Sequence, residues 1–200
     1  MVEAARTFLP LPDLSGRVAV LGGSAIEQTS LLIGLASRQV RQQGAVLCLD
    51  ARRQKQTEVQ FRLLLRRSVS YLPLPVSGTV PDEVTQTLLS TVSRTLGAVS
   101  GPPPLLLLDS VAGDQDWEQT LTFLLNAGVT VVELLPSPAA LVFGRYDTVL
   151  LLRTESNRAS ALSRSVGRKV SEAELVSLQA GEGVLVHLAR TQWVSLPEAC

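Results

Sequence analysis

RVAVLGGSAIEQTS, residues Arg17 to Ser30, decides how the chain is read. Arg17–Leu21 has strand character and runs into Gly22-Gly23. Helical apolar spacing follows over Thr29–Gln43, through Leu32, Leu35, Ala36 and Val40, with Gly44 as a stop. A second strand comes at once, Ala45–Leu49 (AVLCL), ending at Asp50. The alternation continues outward from there. Val69–Leu72 is a short strand bounded by Pro73 and Pro75, and Asp82–Leu96 carries Val84, Leu88, Val92 and Leu96 at helical spacing behind Pro81. Gly101 and three prolines (102–104) precede Leu105–Leu108, which ends at Asp109. Trp117–Asn126 is helical, and Val129–Leu134 and Thr148–Leu152 are strands. These strand runs are apolar throughout rather than alternating, the pattern of parallel strands covered on both faces. The expected fold is therefore α/β, a mostly parallel sheet with helices on both sides. Its C-terminal part differs: Ser171–Glu174 (SEAE) has capping-box form, a short helix reaches Leu178, and Gly183–Leu188 with Thr191–Leu196 forms a C-terminal β-hairpin.

The composition sets bounds. Two hundred residues, 46% of them hydrophobic, suit one domain with a large core. A charged fraction of 18% excludes a disordered polyelectrolyte, and 18 basic against 18 acidic residues exclude a generally basic nucleic-acid binder. Cys48 and Cys200 give no disulfide framework, and a lone histidine, His187, gives no histidine-rich metal site. His187 and Cys48 both read as structural. The start has no signal-peptide pattern and no apolar run is long enough to span a bilayer, so a cytoplasmic location is expected. Residues 1–15 read as an N-terminal arm and 16–200 as a single domain.

The chemistry concentrates at the first glycine turn, because ligands of open parallel sheets bind at the carboxyl ends of strands. Set against the phosphate loop GxxxxGK[ST], Gly22 takes the first glycine, Glu27 the second, Gln28 the lysine and Thr29 the hydroxyl. Spacing and context fit; two of the four defining residues do not. At roughly 5 Å and an effective dielectric of about 20, the Glu27 carboxylate costs ~3 kcal/mol for each phosphate charge it meets. Losing the lysine removes an attraction of similar size, and a combined ~5 kcal/mol is more than a thousandfold in affinity. Two readings stand: an ordinary tight strand-to-helix turn, or a degenerate phosphate loop. The LLLLD stretch ending at Asp109 favours the second, having the form of a magnesium-supporting strand. Ser110 follows it, and a serine without a base beside it cannot activate water. The turn 22–29 is expected to wrap the start of the 29–43 helix, with Asp109 at the neighbouring strand end on the same side of the sheet.

With these elements placed, residues 16–197 resemble the FtsK/HerA group of RecA-like P-loop ATPases. GGSAIEQTS is similar to the phosphate loop of that group, GAVLCLDARRQ to its second strand and LLLLDSVAGD to its magnesium-binding strand. NAGVTVVELLPSPAAL is similar to the following strand, where the group carries a glutamine sensor and this chain has Pro136. RYDTVLLLRTESNRASALSRSVG and LQAGEGVLVHL resemble its last sheet elements. The resemblance implies a RecA-like P-loop sheet. It implies nucleotide contacts at Gly22, Gly23, Gln28, Thr29, Ser30 and Asp109, with magnesium at Thr29 and Asp109 only where nucleotide binding is retained. Glu27, Gln28, Ser110 and Pro136 depart from the group at positions that do chemistry. Together they imply an ATPase fold with no catalytic residues and with no cofactor, or ATP and magnesium if binding persists.

Arg52, Arg53, Lys55, Arg62, Arg66 and Arg67 form one basic cluster; Arg145, Arg153, Arg158, Arg164, Arg168 and Lys169 form another. A solvated face, a subunit contact and a phosphate-backbone contact all fit them. The leading expectation is a non-hydrolysing interaction or assembly partner of an active ATPase, a homo-oligomer, or a DNA-processing or translocation complex. The alternatives are an ATP-binding protein or a RecA-like recombinase paralogue contacting DNA through Arg52, Arg53, Arg62, Arg66 and Arg67.

Overall fold

A computed structural model describes residues 6–53, 55–64, 69–74, 80–97, 101–111, 113–142, 144–187 and 190–197. Among the described residues the strands are β1 (Leu9–Pro10), β2 (Arg17–Leu21), β3 (Val46–Asp50), β4 (Val69–Pro73), β5 (Leu105–Asp109), β6 (Thr130–Leu134), β7 (Thr148–Leu152), β8 (Glu182–His187) and β9 (Thr191–Ser195). The helices are α1 (Ala25–Arg41), α2 (Lys55–Leu64), α3 (Asp82–Gly97), α4 (Gln115–Asn126), α5 (Ser156–Ser165) and α6 (Glu172–Ser177). All strands join one sheet in the order β1-β9-β8-β7-β2-β6-β5-β3-β4. From β7 to β4 every pairing is parallel, and β8 and β9 are antiparallel additions that form the expected hairpin.

The continuous apolar runs are buried on both sides for one reason: helices lie on both faces. Val18, Val20, Leu107, Val132 and Leu150 pack with Leu31 and Leu32 of α1 and with Phe61 of α2. On the other face, Leu47, Leu106 and Val131 meet Leu88 of α3 and Leu121 of α4, while Ala19, Leu151 and Val184 meet Leu162 of α5 and Leu175 of α6. Arg17 lies on this second face. Its guanidinium pairs with Glu133 at 2.9 Å and with Glu118 at 2.7 Å, and sits over the ring of Tyr146. Burial works against that charge, but the two carboxylates outweigh it and hold Arg17 above its ordinary pKa.

The N-terminal arm is tied to the same sheet. Leu9 and Pro10 pair in parallel with Val194 and Ser195, Phe8 packs edge-on against Trp193, and Arg38 of α1 binds the carbonyls of Leu11 and Pro12. The arm covers what would otherwise be an open strand edge.

Candidate functional site

The first expectation to be corrected is the turn. Helix α1 begins at Ala25, four residues before Thr29, so the connection from β2 is only Gly22–Ser24. A capping box is the cause. The Glu27 amide donates to the Ser24 hydroxyl at 3.2 Å, and the Ser24 amide donates to the Glu27 carboxylate at 2.7 Å. The Gln28 amide donates to the Ser24 carbonyl at 3.0 Å, and the Gly23 amide to the Arg153 carbonyl at 2.7 Å. The amides of Gly23, Ser24, Glu27 and Gln28 thus all have partners within the chain. Thr29 is placed inside α1 and is buried, with Ser30 half-buried beside it. Gly22 and Gly23 have φ of +82° and +75°, and a Cβ on Gly22 would lie 2.6 Å from the Leu152 carbonyl. The two glycines let the turn pack against the end of β7.

Asp109 falls on the α1 side of the sheet, as expected. Leu105 and Leu107, which alternate with it along β5, share a core with Leu31 and Leu32. Its strand is not the neighbour of β2, however. β6 lies between them, a spatial order that the order of elements along the chain does not fix.

Arg52 links Asp109 to the turn. Its Nη2 donates to Asp109 Oδ2 at 2.7 Å, its Nη1 to Gln28 Oε1 at 2.7 Å, and Gln28 Nε2 donates to the Gly22 carbonyl at 2.7 Å. Arg52 Nε lies 2.5 Å from Asp109 Oδ1, a charge contact without hydrogen-bond alignment. The Ser110 hydroxyl also donates to Oδ1, at 3.2 Å. Burial pushes the pKa of Asp109 up, and Arg52 offsets part of that rise. Beside it, Asp50 accepts the Arg53 amide at 2.9 Å and the Tyr71 hydroxyl. Burial and the carboxylates of Asp50 and Asp109 drive the thiol of Cys48 well above its usual value, so it is an inert core group.

Among the described residues of the first arginine cluster, Arg53 and Arg62 are exposed and Arg52 is half-buried. Arg52 turns inward, Arg53 donates through Nε to the Leu74 carbonyl at 2.5 Å, and Arg62 pairs with Glu58 at 2.6 Å. Arg66 and Arg67 lie outside the described residues. In the second cluster Arg145 pairs with Glu118 at 3.4 Å, Lys169 donates to the His187 carbonyl at 3.1 Å, and Arg158, Arg164 and Arg168 are exposed. His187 shares a 2.8 Å hydrogen bond with Thr148, which agrees with a structural role.

A cleft of about 660 Å³ is lined by the turn Gly22–Ser24 and the start of α1, together with the loop that carries Pro136 and the start of α5. Leu21, Leu135 and Leu162 line it with two charges of each sign, Glu27 and Glu155 against Arg153 and Arg158. Neither Arg52 nor Asp109 is part of it.

No protein-family profile matches the chain, and no curated protein matches it. Solved structures do. The genome-packaging NTPase B204 of Sulfolobus turreted icosahedral virus 2, in complex with sulfate, matches with a TM-score of 0.66 and 9% identity, over 90% of this chain and 96% of that one. The same NTPase with ATPγS gives a TM-score of 0.62 and 9% identity, over 91% of this chain and 98% of that one. VirB4 of Thermoanaerobacter pseudethanolicus gives 0.57 at 12% identity, over 92% and 90%. The chain has the fold of the P-loop ATPases.

A P-loop fold implies a magnesium nucleotide at the β2–α1 turn, and the residues present do not fit one. The turn is three residues long, and the amides of Gly23, Ser24, Glu27 and Gln28 bind the chain itself. Glu27 places its carboxylate at the start of α1, where the helix dipole would otherwise favour a phosphate. Both oxygens of Asp109 contact Arg52. Among the described residues no group of three or more His, Cys, Asp and Glu side chains is arranged to hold a metal ion. No helix among them is long and apolar enough to cross a membrane.

Proposed function

We propose that this P-loop-fold protein does not hydrolyse ATP and works as an interaction or assembly partner of an active ATPase, or of a complex that processes or translocates DNA. The observation that carries the reading is the capping box at Ser24 and Glu27. Phosphoryl transfer is nearly all positioning and electrostatic stabilisation. Here the amides of Gly23, Ser24, Glu27 and Gln28 are engaged, a carboxylate takes the place of the anion, and Ser110 follows Asp109 where a water-activating glutamate would stand. The expected result is no magnesium-dependent ATP turnover by the purified chain, together with co-purification from its native host of a hydrolysing P-loop ATPase. Robust turnover abolished by Asp109→Ala overturns the first half. A chain that runs alone at native abundance overturns the second.

The cleft beside the turn supports a second reading, nucleotide binding without hydrolysis, because Arg153 and Arg158 reach into it next to an apolar floor. Titration with ATPγS, with and without magnesium, separates the two.

A further inference from the structure

We propose that Arg52 is the built-in cation of this site and that its guanidinium shuts the Asp109 carboxylate against divalent metal. The proposal deepens the reading of a non-hydrolysing P-loop fold and relies on it for what the site once resembled. Asp109 is fully buried, and a charged carboxylate held away from water needs a cation in contact with it. Arg52 supplies that contact at both oxygens, and Ser110 adds a hydrogen bond to one of them. A magnesium ion coordinates oxygen at roughly 2.1 Å. Seated on Asp109, it would stand within about 5 Å of a fixed positive charge, in a setting where screening by water is weak. Metal and guanidinium are alternatives at this carboxylate.

Three features hold Arg52 where it is. Gln28 accepts from its Nη1 while donating to the Gly22 carbonyl, so a neutral amide bridges guanidinium and turn. A lysine at 28 would set a second cation against Arg52, which makes Gln28 and Arg52 a matched pair. The backbone after β3 is fastened by the Arg53 amide on Asp50 and the Ala51 amide on the Asp109 carbonyl at 3.0 Å. Finally, Arg53 and Ser110, one after each strand end, sit at φ of +52° and +55°. Residues other than glycine persist in the left-handed region only where their surroundings over-determine them.

The test is an Mn²⁺ titration of the full chain without nucleotide, followed by electron paramagnetic resonance of the free ion. Wild type is expected to show no saturable binding. Arg52→Ala should gain roughly tenfold or more in Mn²⁺ affinity, and Arg52→Ala with Asp109→Asn should lose the gain. If Arg52→Ala does not fold, Arg52→Gln, which keeps a donor and removes the charge, should show the same gain. Saturable Mn²⁺ binding by wild type that Asp109→Asn removes would overturn the proposal. So would a folded Arg52 variant with no gain. Because no ATP is present, failure here is distinct from failure of the turnover test.

Discussion

Helices α1 and α6 begin with the same four-residue device, and only α1 begins where a P-loop fold would hold phosphate. At α1 the Ser24 hydroxyl accepts the Glu27 amide at 3.2 Å and Glu27 accepts the Ser24 amide at 2.7 Å. At α6 the Ser171 hydroxyl accepts the Glu174 amide at 3.3 Å and Glu174 accepts the Ser171 amide at 2.7 Å. The first of these helices has 17 residues and the second six, yet both N-cap serines have φ of −75°, with ψ of 164° and 160°. The difference in surroundings teaches that Ser-x-x-Glu sets a helix start by local chemistry, whatever the fold places around it.

The largest effect that separates the two regions should come from glycine. Gly22 and Gly181, which leads from α6 into β8, have similar φ, +82° and +84°, but a Cβ meets the Leu152 carbonyl at 2.6 Å in the first and open space in the second. Gly22→Ala should cost about 3 kcal/mol or more in urea unfolding, and Gly181→Ala ~1–2 kcal/mol for the backbone alone. Equal losses would mean that the turn does not press on β7.

Removal of the caps comes next. Ser24→Ala should destabilise the whole domain by about 1 kcal/mol, because α1 cannot fray without opening the core. Ser171→Ala should act mainly on α6, visible as faster amide exchange there with a smaller change in the global midpoint. A global loss for Ser171→Ala as large as that for Ser24→Ala would erase the distinction.

The smallest effect is electrostatic. Burial pushes the Glu174 pKa up, but hydrogen bonds from Ser171 and the charge of Arg6 outweigh it, and the net value lies below the usual carboxylate range. A depressed folded pKa contributes stability above the unfolded value of about 4.3, and that contribution disappears as pH falls through the folded value. Glu174→Gln should therefore be less stable than wild type at neutral pH by a few tenths of a kcal/mol, and indistinguishable from it in acid. A difference that persists at low pH would point to packing instead.

The central strands were legible because parallel strands buried on both faces announce themselves as unbroken apolar runs, as at Leu105–Leu108 and Val149–Leu152, whereas β1, two residues at the sheet edge, was read only as part of an arm. Two helices were not. Among the described side chains of α2, Phe61 is the fully buried one, amid charged positions, and α5 has only Ala159, Leu162 and Ser163 buried, so both resemble polar tracts. The start of α1 was legible in principle. The same pattern marks α6, but at Ser24–Glu27 it is hidden by alignment with a longer loop motif. Long-range pairs had no local signal. Arg52 meets Asp109 across 57 positions, and Arg17 meets Glu118 and Glu133 across 101 and 116. Such contacts follow from strand order, which hydrophobic pattern leaves undetermined.

The most direct test of the turn is a backbone amide NMR titration of the full chain with ATPγS, with and without magnesium. Because the amides of Gly23, Ser24, Glu27 and Gln28 are hydrogen-bonded within the chain, their resonances should not move as nucleotide is added, with or without the metal. Saturable, magnesium-dependent shifts at these four amides would contradict it, since they would mean that the capping box opens and the turn holds phosphate.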